Sequence, residues 1–383
     1  MMKVTRTLSL ILSLVWLSAC SDHVADQTVT AQFAKTDLAN LKPLVLERAD
    51  HFDVESVSVT IMSDDEILSI YHGQANETGL MQAASLSKPV AAAGILMLME
   101  RKGVDINSDI RDRFTSIDIY SIEGGDQPLT VRQLLSHTAG ATQSGYPGYR
   151  RGTTLPSSAE IIIDPPSRLV SAVELSLPKG EFSYAGGGYQ LAQLLAEDVS
   201  GHPFDVLMRD ILFYPIGMSH STFTQPIEEM DIAPLTIVPA NSARRFREGL
   251  FRPLKESWHD YPEQAAAGLW TTSSDYARFV DALLDAAAGR DSAISRQVAS
   301  AMLTPVAPTN FGDGDPYGLG VMLTLDDQDQ VVRVSHSGLN AGYRALFAAN
   351  PQQDRIIVAL SNAPGGVPLN SEIVDGLLEN SNF

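Results

Sequence analysis

The sequence predicts an α+β fold: one antiparallel sheet drawn from both ends of the chain, flanked by helices and interrupted by a large helical insertion. Three observations carry this. Alternating, β-branched runs stand near the start, shorter β-type runs return near the end, and the long middle reads as helices separated by turns.

Taken in order, Leu38 to Ala49 reads as a helix. Val54 to Met62 alternates, Ser63-Asp64-Asp65 is a turn, and Ile67 to Tyr71 alternates again, so the two runs form a hairpin. In the middle, Thr130 to His137 is amphipathic, Tyr189 to Val199 is a helix stopped by Gly201, and Phe204 to Leu212 is another. Thr272 with Asp275 reads as a capping box opening a helix that runs to about Ala288. Gln297 to Leu303 ends before Pro305. The closing strands are Tyr317 to Leu325, Val331 to His336, Tyr343 to Ala349 and Arg355 to Leu360. Their turns are Asp326-Asp327, Gly338 to Gly342 and Pro351 to Asp354, and Val367 to Leu378 is a last helix. No internal repeat, low-complexity tract or long linker divides this stretch. Residues 38–383 are therefore expected to form one domain, with residues 38–84 and 317–383 as its sheet part and 85–316 as its helical part.

With 383 residues, 44% of them hydrophobic, the chain can bury a substantial core. A formal charge of -19 argues against nucleic acid as a partner. At the N-terminus, Lys3 and Arg6 precede an apolar run, Leu8 to Leu17, too short to span a bilayer. Leu17-Ser18-Ala19-Cys20 resembles the lipobox of bacterial lipoproteins. That resemblance implies removal of residues 1–19 and lipidation of Cys20, with residues 20–37 as a tether. Ser21, in place of aspartate, fits sorting to the outer membrane, facing the periplasm of a Gram-negative envelope. The other reading is an ordinary secretory signal cut near Cys20. Cys20 is the only cysteine, which excludes internal disulfides and Cys-ligated metal in the folded part.

The chemistry starts at Ser85-Leu86-Ser87-Lys88-Pro89. Strong helix formers follow, and proline is tolerated only in a first turn, so a helix is expected to begin within a residue or so of Ser85. Positions three apart share a helix face, which sets the Lys88 amine beside the Ser85 hydroxyl. The helix dipole and dry surroundings both disfavour an ammonium there, and a neutral lysine can take the serine proton. A second copy of the spacing, Ser176 to Lys179, contains Pro178 and precedes Gly180, so it belongs to a turn. Tyr184 is expected in the turn before a helix, where a phenol can point into a cleft. The alternating strand ending in His336-Ser337-Gly338-Leu339-Asn340 has small residues that let its backbone approach a bound acyl group, with His336 lining the cleft. No cofactor is called for, and the eight histidines show no metal-ligand spacing. A Gly-x-Ser-x-Gly elbow is absent from the sequence as well.

Ala84-Ser85-Leu86-Ser87-Lys88-Pro89-Val90, Leu134-Leu135-Ser136-His137-Thr138-Ala139-Gly140, Phe182-Ser183-Tyr184, Ile216 to Phe223, Ala266 to Thr272 and His336-Ser337-Gly338 occur in that order. Together they resemble the serine β-lactamase and penicillin-binding-protein-like hydrolases, nearest to the class C β-lactamase and serine esterase branch. The resemblance implies a β-lactamase/transpeptidase-like fold with a cleft between sheet and helices. It implies that Ser85 is acylated, that Lys88 and Tyr184 share base and acid work, and that the N–H groups of Ser85 and Leu339 form the oxyanion hole. It also implies that His336 stands where the family has the lysine of Lys-Thr-Gly, with Ser337 and Gly338 beside it. Arg132, His137 and Gly268-Leu269-Trp270 read as structural.

Two departures matter. Gly186 replaces the asparagine of Tyr-x-Asn, removing an amide that would hold a substrate amide. His336 replaces a permanent cation. Both argue against β-lactamase activity proper and resemble the esterase and D-peptidase-like members of the family. The leading expectation is hydrolysis of esters or small amides, with β-lactamase, D-aminopeptidase or D-Ala-D-Ala carboxypeptidase activity as the alternative. A reading of another class is a non-catalytic penicillin-binding-like module of the envelope, against which the Ser85, Lys88 and Tyr184 set argues. The poorly patterned stretch from Pro226 to Pro262, with Arg244, Arg245 and Arg247, is expected to shape the cleft rim. No oligomeric state follows from the sequence.

Overall fold

The alternating runs at the two ends of the chain pair with each other. In the computed structural model, which describes residues 27–63, 66–122, 127–229, 235–241, 257–311 and 314–380, β1 (Val57–Ser63) lies between β2 (Glu66–His72) and the last strand of the chain. Next in sequence comes β3 (Gly79–Gln82), outside the main sheet, pairing antiparallel with Trp270–Thr271 and parallel with Thr236–Ile237. The later strands are β4 (Ala307–Pro308), β5 (Pro316–Tyr317), β6 (Met322–Leu325), β7 (Val331–Asn340), β8 (Tyr343–Asn350) and β9 (Arg355–Ser361). The order across the sheet is β2-β1-β9-β8-β7-β6-β5-β4, all neighbours antiparallel. Val57 faces Ser361 across the closing pair, and Ser63 faces Arg355.

Side chains alternate between the two faces of a strand, and here both faces are covered. Val57, Val59, Ile61, Ile357 and Ala359 pack under α1 (Gln27–Phe33), α2 (Leu38–His51) and the C-terminal helix (Gly366–Leu378). Met62, Phe347, Ile356, Val358 and Leu360 point the other way, into a core continuous with the helical part. This explains why Ile356 to Leu360 is an unbroken apolar run. Thr60 and Ser58 turn their hydroxyls to Ser273 Oγ, each at 2.7 Å.

The hairpin, the last two strands and the last helix lie within a few residues of their expected places, but the run expected as one strand from Tyr317 to Leu325 is two strands, β5 and β6, that pair antiparallel with each other. The division at residues 84/85 and 316/317 does not match the layers. The helix Ser273–Ala288 packs against β1 and β9, and β4 and β5 belong to the sheet edge. β7 runs four residues past His336, through what reads as a turn, because Gly338 to Asn340 pair with β8. Only Ala341-Gly342 remain as the hairpin loop, with Gly342 at φ 85°. Thr272 does cap its helix by accepting the Asp275 N–H at 3.1 Å. The reciprocal half of the expected box is missing, since the Asp275 carboxylate accepts instead from His220 N at 2.6 Å and Ser221 Oγ at 2.9 Å.

Residues 27–37 are not a tether. The short helix α1 buries Phe33 completely against the C-terminal helix, and Asn380 Nδ2 donates to Phe33 O at 2.8 Å and Thr36 O at 3.0 Å. Arg48 adds a two-pronged bond to Glu372 at 2.9 and 3.0 Å, so both chain ends are tied into one layer. Seven residues containing one aromatic hold too little pattern to announce a packed helix. Cys20 and the arginines at 244, 245 and 247 lie outside the described residues. Among the described residues no helix is long and apolar enough to cross a membrane. Phe33→Ala is expected to lower the unfolding free energy by about 3 kcal/mol. The readout is the urea midpoint, and an unshifted midpoint would show that this segment contributes nothing to the core.

Candidate active site

β3 delivers the chain to the nucleophile. The Ala83 N–H donates to Leu269 O at 2.9 Å. Ala84 then turns with φ 52°, a left-handed conformation that costs a non-glycine residue about 1 kcal/mol or more. Ser87 holds this turn: its buried hydroxyl donates to Ala84 O at 2.6 Å and accepts the Leu269 N–H at 2.9 Å. Ala84–Leu86 form one 3-10 turn, and the α-helix α3 (Ser87–Arg101) begins just after Ser85, with Pro89 in its first turn. Residues 87 to 99 of α3 are all buried, which accounts for the long apolar run and shuts Lys88 away at 2% exposure. The Lys88 Nζ lies 3.1 Å from Ser85 Oγ and donates to Ala266 O at 2.7 Å.

Tyr184 comes from a loop fastened to the segment after α4 (Val131–Leu135). Leu177 N donates to Gly140 O at 3.0 Å, Gly180 N to Thr138 O at 2.9 Å and Ser183 N to His137 O at 2.9 Å. Gly187 N donates to Gln143 O at 2.8 Å and Gly186 N to Ser144 O at 2.9 Å, at the start of α5 (Gly186–Ser200). The Tyr184 ring is thereby set with its centroid 5.0 Å from Lys88 Nζ. The three side chains proposed from sequence do meet, although Tyr184 is nearly a hundred residues from the other two. The second Ser-x-x-Lys spacing stays apart, with Lys179 Nζ donating to Gln127 O at 2.8 Å.

β7 closes the other side. A Cβ on Gly338 would lie 2.4 Å from Ala83 O and 3.1 Å from Ser85 N, so only glycine lets this backbone pass beside the nucleophile. Asn340 Nδ2 locks the strand in place, donating to Gln82 Oε1 at 2.9 Å and Ala267 O at 3.0 Å. Among the described residues no His, Cys, Asp or Glu cluster is placed to hold a metal.

A serine hydroxyl, a buried amine and a phenol ring thus converge under a glycine strand. The family model named Beta-lactamase matches residues 43–375. The chain belongs to the Beta-lactamase family. It is 23% identical to Protein flp of Staphylococcus aureus over 81% of this chain and 57% of that protein. It is 25% identical to Penicillin-binding protein 4* of Bacillus subtilis over 74% of this chain and 60% of that protein. The chain therefore spans about three fifths of these relatives. Its fold is similar to that of D-amino acid amidase from Ochrobactrum anthropi SV3, with a TM-score of 0.68, 21% identity and 90% and 98% of the two chains covered.

Within this Beta-lactamase family chain, the expectation that His336 lines the cleft toward a substrate needs correction. His336 does not offer its ring to a ligand. Its Nδ1 lies 2.7 Å from the Ser337 carbonyl, which only accepts, so Nδ1 carries the proton. Nε2 then accepts the Tyr317 hydroxyl at 3.1 Å. Both nitrogens are engaged, the residue is buried, and burial, with the Lys88 amine next, pulls its pKa down to about 3. Ser337 and Leu339 alternate away from Ser85. Their side chains line a depression on the opposite face with Arg344, Asn370 and Asp375, so these two residues can reach the cleft only through their backbone.

The glycine at 186 is likewise explained by a neighbour. A Cβ there would come 2.9 Å from the Tyr146 ring, which fills the space the asparagine side chain would need. Tyr317 and Tyr146 had no local sign of their involvement, and Ala266 and Asn340 stood in quoted segments without a role assigned to them. His137, read as structural, packs its ring against Tyr184 with centroids 4.4 Å apart.

The His336 geometry has a measurable consequence. Its folded pKa of about 3 lies below the ordinary 6.5, so between those values the unfolded chain binds a proton that the folded chain refuses. Stability therefore falls as the pH drops from 6.5 toward 3, with a slope from this residue of at most about 1.4 kcal/mol per pH unit. Urea unfolding at pH 7, 6, 5 and 4 should show a shallower acid loss in His336→Gln than in the wild type. Parallel curves would mean the imidazole is not held neutral by burial.

Proposed function

We propose that this protein hydrolyses carboxylic esters or small amides through an acyl-enzyme on Ser85. The observation that carries the reading is the 3.1 Å approach of Lys88 Nζ to Ser85 Oγ, with the same amine held on Ala266 O. With one N–H on that carbonyl, a neutral amine can direct its lone pair at the serine hydroxyl. Ser85 Oγ attacks the substrate carbonyl carbon while its proton passes to Lys88. The N–H groups of Ser85 and Leu339 receive the developing oxyanion. Lys88 and Tyr184 return the proton to the departing alcohol or amine as the carbon–leaving-group bond breaks. Water then attacks the acyl carbon, giving up its proton by the same route, and the product acid leaves with Ser85 restored.

Preference for esters and small amides over β-lactams or D-alanyl peptides rests on what faces the cleft. Position 336 offers no cation for a substrate carboxylate, and position 186 offers no amide. The kinship with penicillin-binding proteins keeps β-lactamase, D-aminopeptidase or D-Ala-D-Ala carboxypeptidase activity as the second reading. A fluorophosphonate probe should label the wild type and not Ser85→Ala, and Lys88→Ala should lose ~10²-fold or more in kcat/KM. Among p-nitrophenyl esters, a chromogenic cephalosporin and D-Ala dipeptides, the short esters should turn over fastest. Faster cephalosporin turnover would reverse that order, and labelling that survives Ser85→Ala would remove the nucleophile.

We further propose that Cys20 carries the lipid that holds the enzyme on the outer membrane, facing the periplasm. Cells fed a palmitate analogue should yield labelled wild-type protein in the membrane fraction and unlabelled, soluble Cys20→Ala. Membrane recovery of Cys20→Ala equal to the wild type would refute the anchor.

A further inference from the structure

We infer that His137 is the positioning residue for Tyr184: it grips the residues on both sides of that tyrosine and backs the ring itself. The His137 carbonyl accepts the Ser183 N–H at 2.9 Å, and its Nδ1 accepts the Ala185 N–H at 3.1 Å. Between those two bonds sits Tyr184, its ring against the imidazole at 4.4 Å and 38°. One residue thus determines the height, the direction and the backing of the phenol. To do so, His137 takes φ 59°, a left-handed conformation that is uncommon outside glycine and in which asparagine, aspartate and histidine are enriched. That turn lets the carbonyl and the ring nitrogen of one residue address the same strand of loop.

The tautomer excludes a proton-relay role. An Nδ1 that accepts from a backbone N–H must be unprotonated, so the proton is on Nε2. Nε2 is buried and has no hydrogen-bond partner among the described residues. The ring is enclosed by Phe182, Tyr184, Tyr189 and Tyr317, with centroids 4.4 to 5.8 Å away. Burial first, then the Lys88 amine, hold this imidazole neutral, which keeps Nδ1 available as an acceptor. A charged imidazole would lose the Ala185 bond and set a second cation beside the lysine. His137 therefore acts through Tyr184 and does not touch the reacting atoms.

The inference rests on Tyr184 working at the Ser85 site, so its test carries a readout that does not depend on turnover. Asparagine offers Oδ1 close to the place of Nδ1 and tolerates positive φ, whereas alanine has no acceptor and glutamine carries its acceptor one bond further out. In hydrogen exchange, the Ala185 amide should stay protected in the wild type and His137→Asn, and exchange faster in His137→Ala and His137→Gln. On the best ester of the panel, kcat should fall ~10²-fold in His137→Ala with KM within about 3-fold, and His137→Asn should recover most of it. In a Tyr184→Phe background, His137→Ala should cost less than about 3-fold more, because the group it aims is already gone. If His137→Ala does not fold, the asparagine and glutamine pair decides by the same readouts. Equal amide exchange in all variants, glutamine and asparagine alike in rate, or an undiminished loss in the Tyr184→Phe background would each overturn the assignment. Ala185 protection that follows the expected pattern in a protein with no hydrolase activity would uphold the clamp while refuting the proposed function.

Discussion

The Lys88 amine is the constraint to which the rest of the molecule conforms. It is shut away from water at 2% exposure, and its partners include the Ser85 hydroxyl and the Ala266 carbonyl. A buried amine without such partners would carry a desolvation cost large enough to reshape the site. Each partner therefore has to be delivered accurately. The 3-10 turn and left-handed Ala84 bring the serine, and the segment after Glu263 brings the carbonyl. Gln82, Ala267 and Asn340 tie the strand, the carbonyl segment and β7 into one frame around them.

That frame links packing to chemistry. The sheet joins the two ends of the chain, and its inner face shares one apolar core with α3 and α5. The serine, the lysine and the glycine strand thus ride on rigid elements. Tyr184 alone comes from a loop, and that loop is fastened by backbone bonds and by the histidine beneath it. A phenol must be aimed to within fractions of an ångström to exchange a proton, and loops by themselves do not supply that accuracy.

Electrostatics in the cleft follow from the same burial. Two imidazoles flank the lysine, and burial keeps both neutral, so they add no charge to compete with the amine. His336 in particular is occupied by Tyr317 and by the carbonyl of its own neighbour. Its neutral ring leaves position 336 without a cation. The loss at Gly186 is of another kind, since an aromatic ring from a distant loop fills the space.

The sheet runs, the capped helices and the Ser85–Lys88 pair were legible because each is written in local periodicity: alternation for strands, a spacing of three for a helix face. Gly338 was legible as a candidate from the small residues that end its strand, and Tyr184 from its place in the turn before a helix and the resemblance of Phe182-Ser183-Tyr184 to a family segment. The short helix Gln27–Phe33 was not, because a single aromatic in seven residues carries no period. Nor were the direction of the Ser337 side chain, the engaged state of His336 or the grip of His137. By itself the sequence determined which residues bear the reactive groups and which elements carry them. Tertiary structure alone decided how those groups are engaged, because the bonds from Lys88 to Ala266 O, from Tyr317 to His336 and from the Ala185 N–H to His137 join residues far apart in the chain, and no local pattern encodes such a meeting.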